Sequence, residues 1–83
     1  MPRIIDGEYN NLVGNQVRYF RKKRKLSQKQ LSEKLETMAI YVCRGSISRI
    51  EDGSRTVTDI ELYGLATILE TSIESLFPEK LNK

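Results

Sequence analysis

One short stretch of the sequence combines arginine, serine and glycine in a way that suits hydrogen bonding to an acceptor-rich partner. The planar guanidinium of Arg49 matches the O6 and N7 acceptors of guanine, and Arg44 offers the same group. The hydroxyls of Ser46 and Ser48 can bond to a phosphate oxygen or to a base. Gly45 has no side chain and therefore allows the close approach of another molecule. These residue types support the hypothesis that the stretch contacts DNA.

A helix spanning residues 44–52 is needed to position these side chains. At about 100° per residue, Ile47 and Ile50 fall on one edge of that helix. The other side carries Gly45, Ser48, Arg49 and Asp52. Gly53 follows as a signal that ends the helix. The pattern therefore predicts a short helix with one buried apolar edge and an outward face that carries Arg49.

Apolar spacing and capping residues predict four more short helices. Two of them begin at capping boxes, in which the two side chains each bond to the backbone of the other residue. The expected limits are about Asn10 to Arg24 for the first helix, Ser27 to Met38 or Ala39 for the second, Thr58 to Leu69 for the fourth, and Ser72 to Phe77, with Ile73 turned inward, for the fifth. The sequence thus predicts an all-α fold of five short helices.

Composition limits the class of protein. The 83 residues suit one domain, which we divide into an N-terminal arm (1–8), a helical domain (9–78) and a C-terminal tail (79–83). The net charge of +3 is too small to imply nucleic acid by itself. One cysteine and no histidine favour a reducing compartment and disfavour metal binding and general acid–base catalysis. No apolar run approaches the roughly 20 residues of a membrane span. We therefore expect a cytoplasmic protein that is not an enzyme, without a metal or a cofactor.

Four segments of the chain together resemble one known family. They are Val17-x-x-Phe20-Arg21, Leu26-Ser27-Gln28-x-x-Leu31-Ser32-x-x-Leu35, Ile47-Ser48-Arg49-Ile50-Glu51-Asp52-Gly53-x-Arg55 and Leu62-x-x-Leu65-Ala66-x-x-Leu69. The combined pattern resembles the lambda repressor/Cro-like (XRE-type) helix-turn-helix family. The resemblance implies a five-helix, all-α fold whose second and third helices form the helix-turn-helix. It also implies DNA binding and, usually, a dimer on a two-fold site.

The resemblance also assigns roles to residues around the helix-turn-helix. In the family, the position of Gln28 contacts the DNA backbone and neighbouring bases. Lys29 lies beside it in the first turn of helix two, where backbone N–H groups and the positive end of the helix dipole suit a phosphate. Ser54 and Arg55 follow the 44–52 helix and are placed for the next phosphates.

Two features of the same region concern structure rather than binding. Glu51 lies beside the apolar edge of its helix, where an unpaired carboxylate would be costly. The family pairs this position with an arginine of helix one, so the resemblance implies a structural ion pair between Arg21 and Glu51. Eleven residues, 36–46, lie between Leu35 and Ile47, which is about five more than the tight turn of the family requires. We expect a longer helix two, because Met38 continues its apolar spacing, and then a loop.

A few apolar residues leave alternatives open. Cys43 is expected to be a small buried hydrophobe, with a redox switch as the alternative. Ile60, Tyr63 and Ile68 lie off the core stripe of helix four, so they either pack on the loop or form a contact with a second subunit.

The main functional hypothesis is a transcriptional regulator, a repressor that binds double-stranded DNA at a palindromic operator as a homodimer. The alternative is a protein-interaction module on the same fold, such as an antitoxin bound to a partner protein. An exposed apolar patch around Ile40, Tyr41 and Ile60 would favour that alternative. Enzyme activity is disfavoured because the sequence has no metal-ligand cluster and no phosphate-binding glycine loop. We expect no small-molecule ligand and no membrane contact.

Overall fold

The computed structural model describes residues 10–78, which form four α-helices and one short 3₁₀ turn. The expected arm (1–8) and tail (79–83), with Tyr9, lie outside the described residues. The α-helices are α1 (Gly14–Lys23), α2 (Gln28–Glu36), α3 (Arg44–Glu51) and α4 (Asp59–Leu69), and the 3₁₀ turn is Glu74–Leu76. The all-helical class is confirmed, since no strand occurs between residues 10 and 78.

Both predicted capping boxes are present and set the starts of α2 and α4. The backbone N–H of Gln30 donates to Ser27 Oγ over 3.0 Å, and Gln30 Oε1 accepts from the Ser27 N–H over 2.8 Å. Thr58 and Glu61 make the same reciprocal pair, with both distances 3.1 Å. These bonds satisfy backbone donors that the first helical turn leaves without partners.

The hydrophobic core lies between all four helices. α3 packs against α1 and α2, and α4 packs on the same two helices. The fully buried side chains with the largest volumes are Val17, Leu31, Leu35, Ile47, Ile50, Leu65, Leu69 and Leu76. Ile47 and Ile50 belong to this set, so the apolar edge of α3 faces the core as its spacing predicts.

The backbones of α1 and α3 approach each other closely at Gly14. A Cβ atom placed on Gly14 would overlap the carbonyl oxygen of Ile50 and lie 2.9 Å from that of Glu51. Only glycine therefore fits this position of α1 without a shift of α3, because the obstructing atoms belong to the backbone.

α1 begins at Gly14 rather than near Asn10, because Asn11 ties the preceding residues to the segment after α3. Asn11 Oδ1 accepts from the N–H groups of Val13 and Gly14 over 3.0 and 2.8 Å. Its Nδ2 donates to the carbonyl oxygens of Ile50 and Arg55 over 3.0 and 2.7 Å. One side chain thus caps α1 and connects it to the last turn of α3 and to the segment that follows α3.

The expectation of a longer α2 is wrong, since the helix ends at Glu36. Ala39 adopts a left-handed conformation with φ of 62°, and the N–H of Ile40 donates to the carbonyl oxygen of Leu35 over 3.1 Å. This left-handed residue followed by a long return bond is a common way to end a helix. Met38 is half-buried against the core. The apolar spacing that it shares with α2 therefore reflects packing of the residues after the helix and does not indicate a longer helix.

The expected fifth α-helix is only the 3₁₀ turn Glu74–Leu76, so the described residues contain four α-helices rather than five. Phe77 has an extended backbone with ψ of 148°. The proline ring of Pro78 disfavours helical geometry at the residue before it, which prevents the turn from continuing. Leu76 is buried as expected, whereas Ile73 is exposed.

None of the helices within residues 10–78 has the combination of length and apolar character needed to cross a membrane.

Candidate nucleic-acid interface

A buried ion pair fixes α3 to the rest of the protein. Arg21 Nε lies 2.6 Å from Glu51 Oε2, and Arg21 Nη2 lies 3.0 Å from Glu51 Oε1. Arg21 Nη1 also donates to the carbonyl oxygen of Leu26 over 2.8 Å. Two parallel N–H···O bonds give this pair a defined geometry as well as charge neutralisation. The pair that the resemblance implied is therefore a joint between α1 and α3.

The same carboxylate also receives a bond from α2. Gln28 Nε2 donates to Glu51 Oε1 over 3.1 Å, so the amide nitrogen of this residue is used inside the fold. Arg18 adds a second cation, with its Nε 3.5 Å from Glu51 Oε1, and its side chain is about half-exposed. Arg18 had no predicted role, although it lies three residues before Arg21 in α1 and so shares the face toward α3.

The outward face of α3 carries the residues whose types first pointed to DNA. Arg44, Gly45, Ser48 and Arg49 are exposed, and Ser46 is half-buried. Arg49 Nη2 donates to Ser46 Oγ over 3.3 Å, which lays the guanidinium along the helix toward its N-terminus. The structure thus brings Gly45, Ser48 and Arg49 together on the side of α3 that is opposite Ile47 and Ile50. Arg44 begins the helix, and the half-buried Ser46 lies nearer its apolar edge.

The fold has room for a side chain at position 45, where the sequence has glycine. A Cβ atom at this position would meet only Arg49 Nη1, at an ordinary contact distance of 3.7 Å. The packing of the protein therefore does not require glycine here, in contrast to Gly14. What the missing side chain provides is free space on the outer side of α3.

Cys43 precedes α3 as its N-cap residue and is exposed, so the expectation of a buried hydrophobe is wrong. Its Sγ donates to Ser46 Oγ over 3.5 Å. Hydrogen bonding to the Ser46 side chain, and then to the Ser46 backbone, lowers the pKa of the Cys43 thiol below its usual value. The N-cap position explains the exposure, because residues there lie at the helix end rather than on its apolar edge.

A groove of about 540 Å³ joins the N-terminal ends of α2 and α3. It is lined by Arg21, Ser27, Gln28, Lys29 and Arg44. Lys29 and Arg44 are exposed cations, and the first turn of α2 adds the positive end of a helix dipole. A groove with this charge suits an anionic group such as a phosphate.

Ser54 and Arg55, the two residues after α3 that are predicted to contact phosphates, have different surroundings. Ser54 is exposed, and both its N–H and its Oγ donate to Asp52 Oδ1, over 3.0 and 2.7 Å. These bonds from Ser54, the side-chain bond first, lower the pKa of Asp52. Arg55 instead pairs with Glu61 of α4 through Nη1 and Nη2, at 2.9 and 2.8 Å. This pair was not predicted from the sequence, and it holds two nitrogens of the Arg55 guanidinium within the fold.

The Arg55–Glu61 pair also changes the acidity of both groups. The hydrogen bonds from Arg55 hold the pKa of the Glu61 carboxyl below its usual value, and they raise that of Arg55. Since Glu61 is also the acceptor of the Thr58 N–H, one carboxylate both caps α4 and holds the segment after α3.

The family model described as Helix-turn-helix (HTH_3) matches residues 17–76. This chain belongs to the helix-turn-helix family. The match runs from α1 to the 3₁₀ turn, and it confirms the resemblance that the four sequence segments carry. Within this family, α2 and α3 are the two helices of the helix-turn-helix, joined here by residues 37–43.

A solved structure supports the same fold. The chain is similar to "Crystal structure of the DNA-binding domain of BldD", with a TM-score of 0.69 and 24% sequence identity. The alignment covers 89% of this chain and 100% of that one. At this level of identity the likeness shows the fold alone. No curated protein matches the sequence.

Proposed function

We propose that this helix-turn-helix protein binds double-stranded DNA with sequence specificity and regulates transcription. The observation that carries the proposal is the two-sided character of α3. Its inner side is fixed by Ile47, Ile50 and the Glu51 ion pair, while its outer side exposes Arg49 and Gly45. A helix held rigidly from behind, with an open polar front, can enter the major groove.

In this proposal the outer face of α3 reads base edges. Arg49 donates to guanine O6 and N7, and Arg44 contacts a base or phosphate near the start of the helix. Ser46 and Ser48 contribute hydroxyl bonds, and Gly45 lets the helix backbone approach the DNA. The few base contacts supply specificity, whereas contacts elsewhere fix the orientation of the domain.

The phosphate contacts come from the residues around the α2–α3 groove and after α3. Lys29 and the first turn of α2 bind one phosphate, with Gln28 beside them. Because Gln28 Nε2 is held by Glu51, this glutamine orients the end of α2 as well as facing DNA. Ser54 and Arg55 are the remaining phosphate contacts. A phosphate that binds Arg55 has to compete with Glu61 for the guanidinium, so Lys29 and Arg44 contribute more to the DNA affinity than Arg55 does.

We further propose that the protein acts in the cytoplasm as a homodimeric repressor. Two copies of α3 would enter successive major grooves on one side of the duplex. A palindromic operator then follows from the two-fold axis, with half-sites about 10 bp apart or a multiple of that distance.

A protein-interaction module is the second candidate, in the manner of an antitoxin. It is favoured by the exposed apolar side chains of Tyr41 and, on α4, of Ile60 and Tyr63. Ile40 does not belong to such a patch, because its side chain is buried. A protein partner covering these residues would bind with little dependence on salt.

Selection of bound sequences from random duplex DNA, followed by a salt titration of the selected site, tests the proposal. We expect an enriched palindromic motif and an affinity that falls steeply with salt, because phosphate contacts release counterions. A scrambled duplex of the same composition is the control. Failure to enrich any motif, together with equal affinity for the scrambled duplex, would contradict sequence-specific binding.

A further inference from the structure

The connection between α2 and α3 is held firmly on both sides of Tyr41. Ile40 and Val42 are buried, and Ser32 Oγ of α2 donates to the Val42 carbonyl oxygen over 2.7 Å. Ile40 fills the space that Gly64 of α4 leaves, since a Cβ there would lie 2.5 Å from Ile40 Cδ1. The longer connection is therefore a fixed part of the fold that places Tyr41 at a defined position.

Tyr41 is the most exposed of the large hydrophobic side chains among residues 10–78, at 75%. Its two neighbours, Ile40 and Val42, are buried in the core, whereas the side chain of Tyr41 between them points outward. Tyr41 lines a groove of about 330 Å³ together with Ser46 of α3, Cys43 and Glu36. The ring thus lies beside the reading helix, on a surface continuous with Ser46.

We propose that Tyr41 is an additional DNA contact, which fixes how α3 lies in the major groove. The proposal rests on the DNA-binding function proposed above. The phenol hydroxyl donates to a phosphate oxygen next to the bases that α3 reads, and the ring packs on the adjoining deoxyribose. Tyrosine suits this task because it has an apolar ring and one polar end, and phosphate contacts of this kind set the register of a protein on DNA.

The charges around Tyr41 favour DNA over a protein partner. Arg44 follows three residues later, and Arg49 lies along α3 toward the same end of the helix. On the α2 side, the groove is lined by Glu36, which carries a negative charge. On the α3 side, Ser46 lines the groove and accepts the hydrogen bond from Arg49, so a phosphate backbone is attracted to the α3 side.

The test compares Tyr41→Phe and Tyr41→Ala with the parent chain on the selected duplex. Tyr41→Phe removes only the hydroxyl, so we expect about 10-fold weaker binding, and Tyr41→Ala is expected to lose more because it also removes the ring. Tyr19→Phe is the matched control, since it removes the hydroxyl of another exposed tyrosine, on α1. Its affinity should equal that of the parent. Thermal unfolding checks that all variants keep the fold.

A second measurement locates the contact. Duplexes that carry one uncharged methylphosphonate at a time should weaken the parent at a specific flanking phosphate, and Tyr41→Phe should show a smaller additional loss at that position. Parent-like affinity of both Tyr41 variants would overturn the inference and leave a protein partner as the occupant of this surface. Equal losses in Tyr19→Phe and Tyr41→Phe would also overturn it. Absence of salt-dependent duplex binding by the parent would overturn the proposed function as well, which separates the two failures.

Discussion

Arg21 and Glu51 meet in a bidentate ion pair, 2.6 and 3.0 Å between the paired atoms, that joins α1 to α3 from the buried side of α3. Gln28 of α2 donates a further hydrogen bond to the same carboxylate, so the carboxylate of Glu51 holds α3 against both α1 and α2. Because α3 has only eight residues, its position depends on this joint and on Ile47 and Ile50 rather than on its own helix propensity. The joint is structural, yet the geometry of the outer face depends on it.

Replacing Glu51 should destabilise the protein strongly. Glu51→Ala leaves the Arg21 cation buried without its partner, and we expect a loss of about 3–5 kcal/mol in the free energy of unfolding. Urea denaturation followed by circular dichroism measures the change. The double variant Arg21→Met with Glu51→Leu should recover part of this loss, because it removes both charges. Glu33→Ala, at an exposed position of α2, is the control and should change stability by less than about 0.5 kcal/mol.

Removing the guanidinium of Arg49 should impair DNA reading without affecting the fold. We expect Arg49→Ala to weaken binding to the selected site by about 1–3 kcal/mol and to relax the preference at one base position. Arg49→Lys should restore little of the preference, because an ammonium group lacks the planar fork. Repeating the sequence selection with each variant measures both effects. Lys34→Ala, a cation at the other end of α2, is the control; base preferences that stay unchanged in Arg49→Ala would refute the reading role.

Two glycine-to-alanine variants should have opposite effects on stability. Gly14→Ala places a methyl group against the Ile50 carbonyl oxygen, so we expect clear destabilisation. Gly45→Ala meets no obstruction and gains helix propensity, so stability should rise by up to about 1 kcal/mol. DNA affinity should nevertheless fall in Gly45→Ala, because the added methyl group occupies the side that faces the groove. Thermal unfolding and DNA titration of both variants provide the comparison, and tighter DNA binding by Gly45→Ala would contradict the proposed orientation of α3.

Acid should weaken the fold partly through Glu61. The pKa of this carboxyl is lower in the folded protein than in the unfolded chain, first because Arg55 donates hydrogen bonds to it. Its stabilising contribution is therefore complete above the unfolded value of about 4.3 and is lost as the pH falls through the lower folded value. Glu61→Gln keeps a capping side chain but removes the charge. The variant should lose less stability than the parent between pH 6 and pH 3, as measured by denaturation at each pH. Identical pH profiles would argue against the Arg55–Glu61 pair.

Local patterns in the sequence predict the parts of this fold that local physics controls. The capping boxes at Ser27 and Thr58 and the buried edge of α3 depend on residues three or four positions apart, and all are present. The end of α2 was missed because a left-handed alanine, Ala39, ends the helix where a sequence pattern would require glycine. No residue near Arg55 signals its pairing with Glu61 rather than with a phosphate.

The hydrogen bonds of the Asn11 side chain could not be predicted from the sequence for a related reason. Its side-chain amide bonds to carbonyl groups about forty positions away, at Ile50 and Arg55. Such bonds depend on where the backbone of one segment passes another, which no spacing of residue types encodes. For the residues of α3 that are proposed to contact DNA, sequence pattern and geometry agree on which side of the helix is outward, and the contacts themselves stay predictions.

The hydrogen bonds of Asn11 also affect how this small domain unfolds. Its bonds to the segment after α3, together with the Gly14 contact, connect the first turn of α1 to the last turn of α3. Fraying at either place would break the bonds of the other, so the two segments constitute one cooperative unfolding unit. The amide hydrogens of α3 should consequently exchange with solvent as slowly as those of α1, despite the short length and exposed outer face of this helix. On this expectation, the outer face of α3 keeps its shape until the domain as a whole unfolds, and the proposed DNA contact would require no folding upon binding.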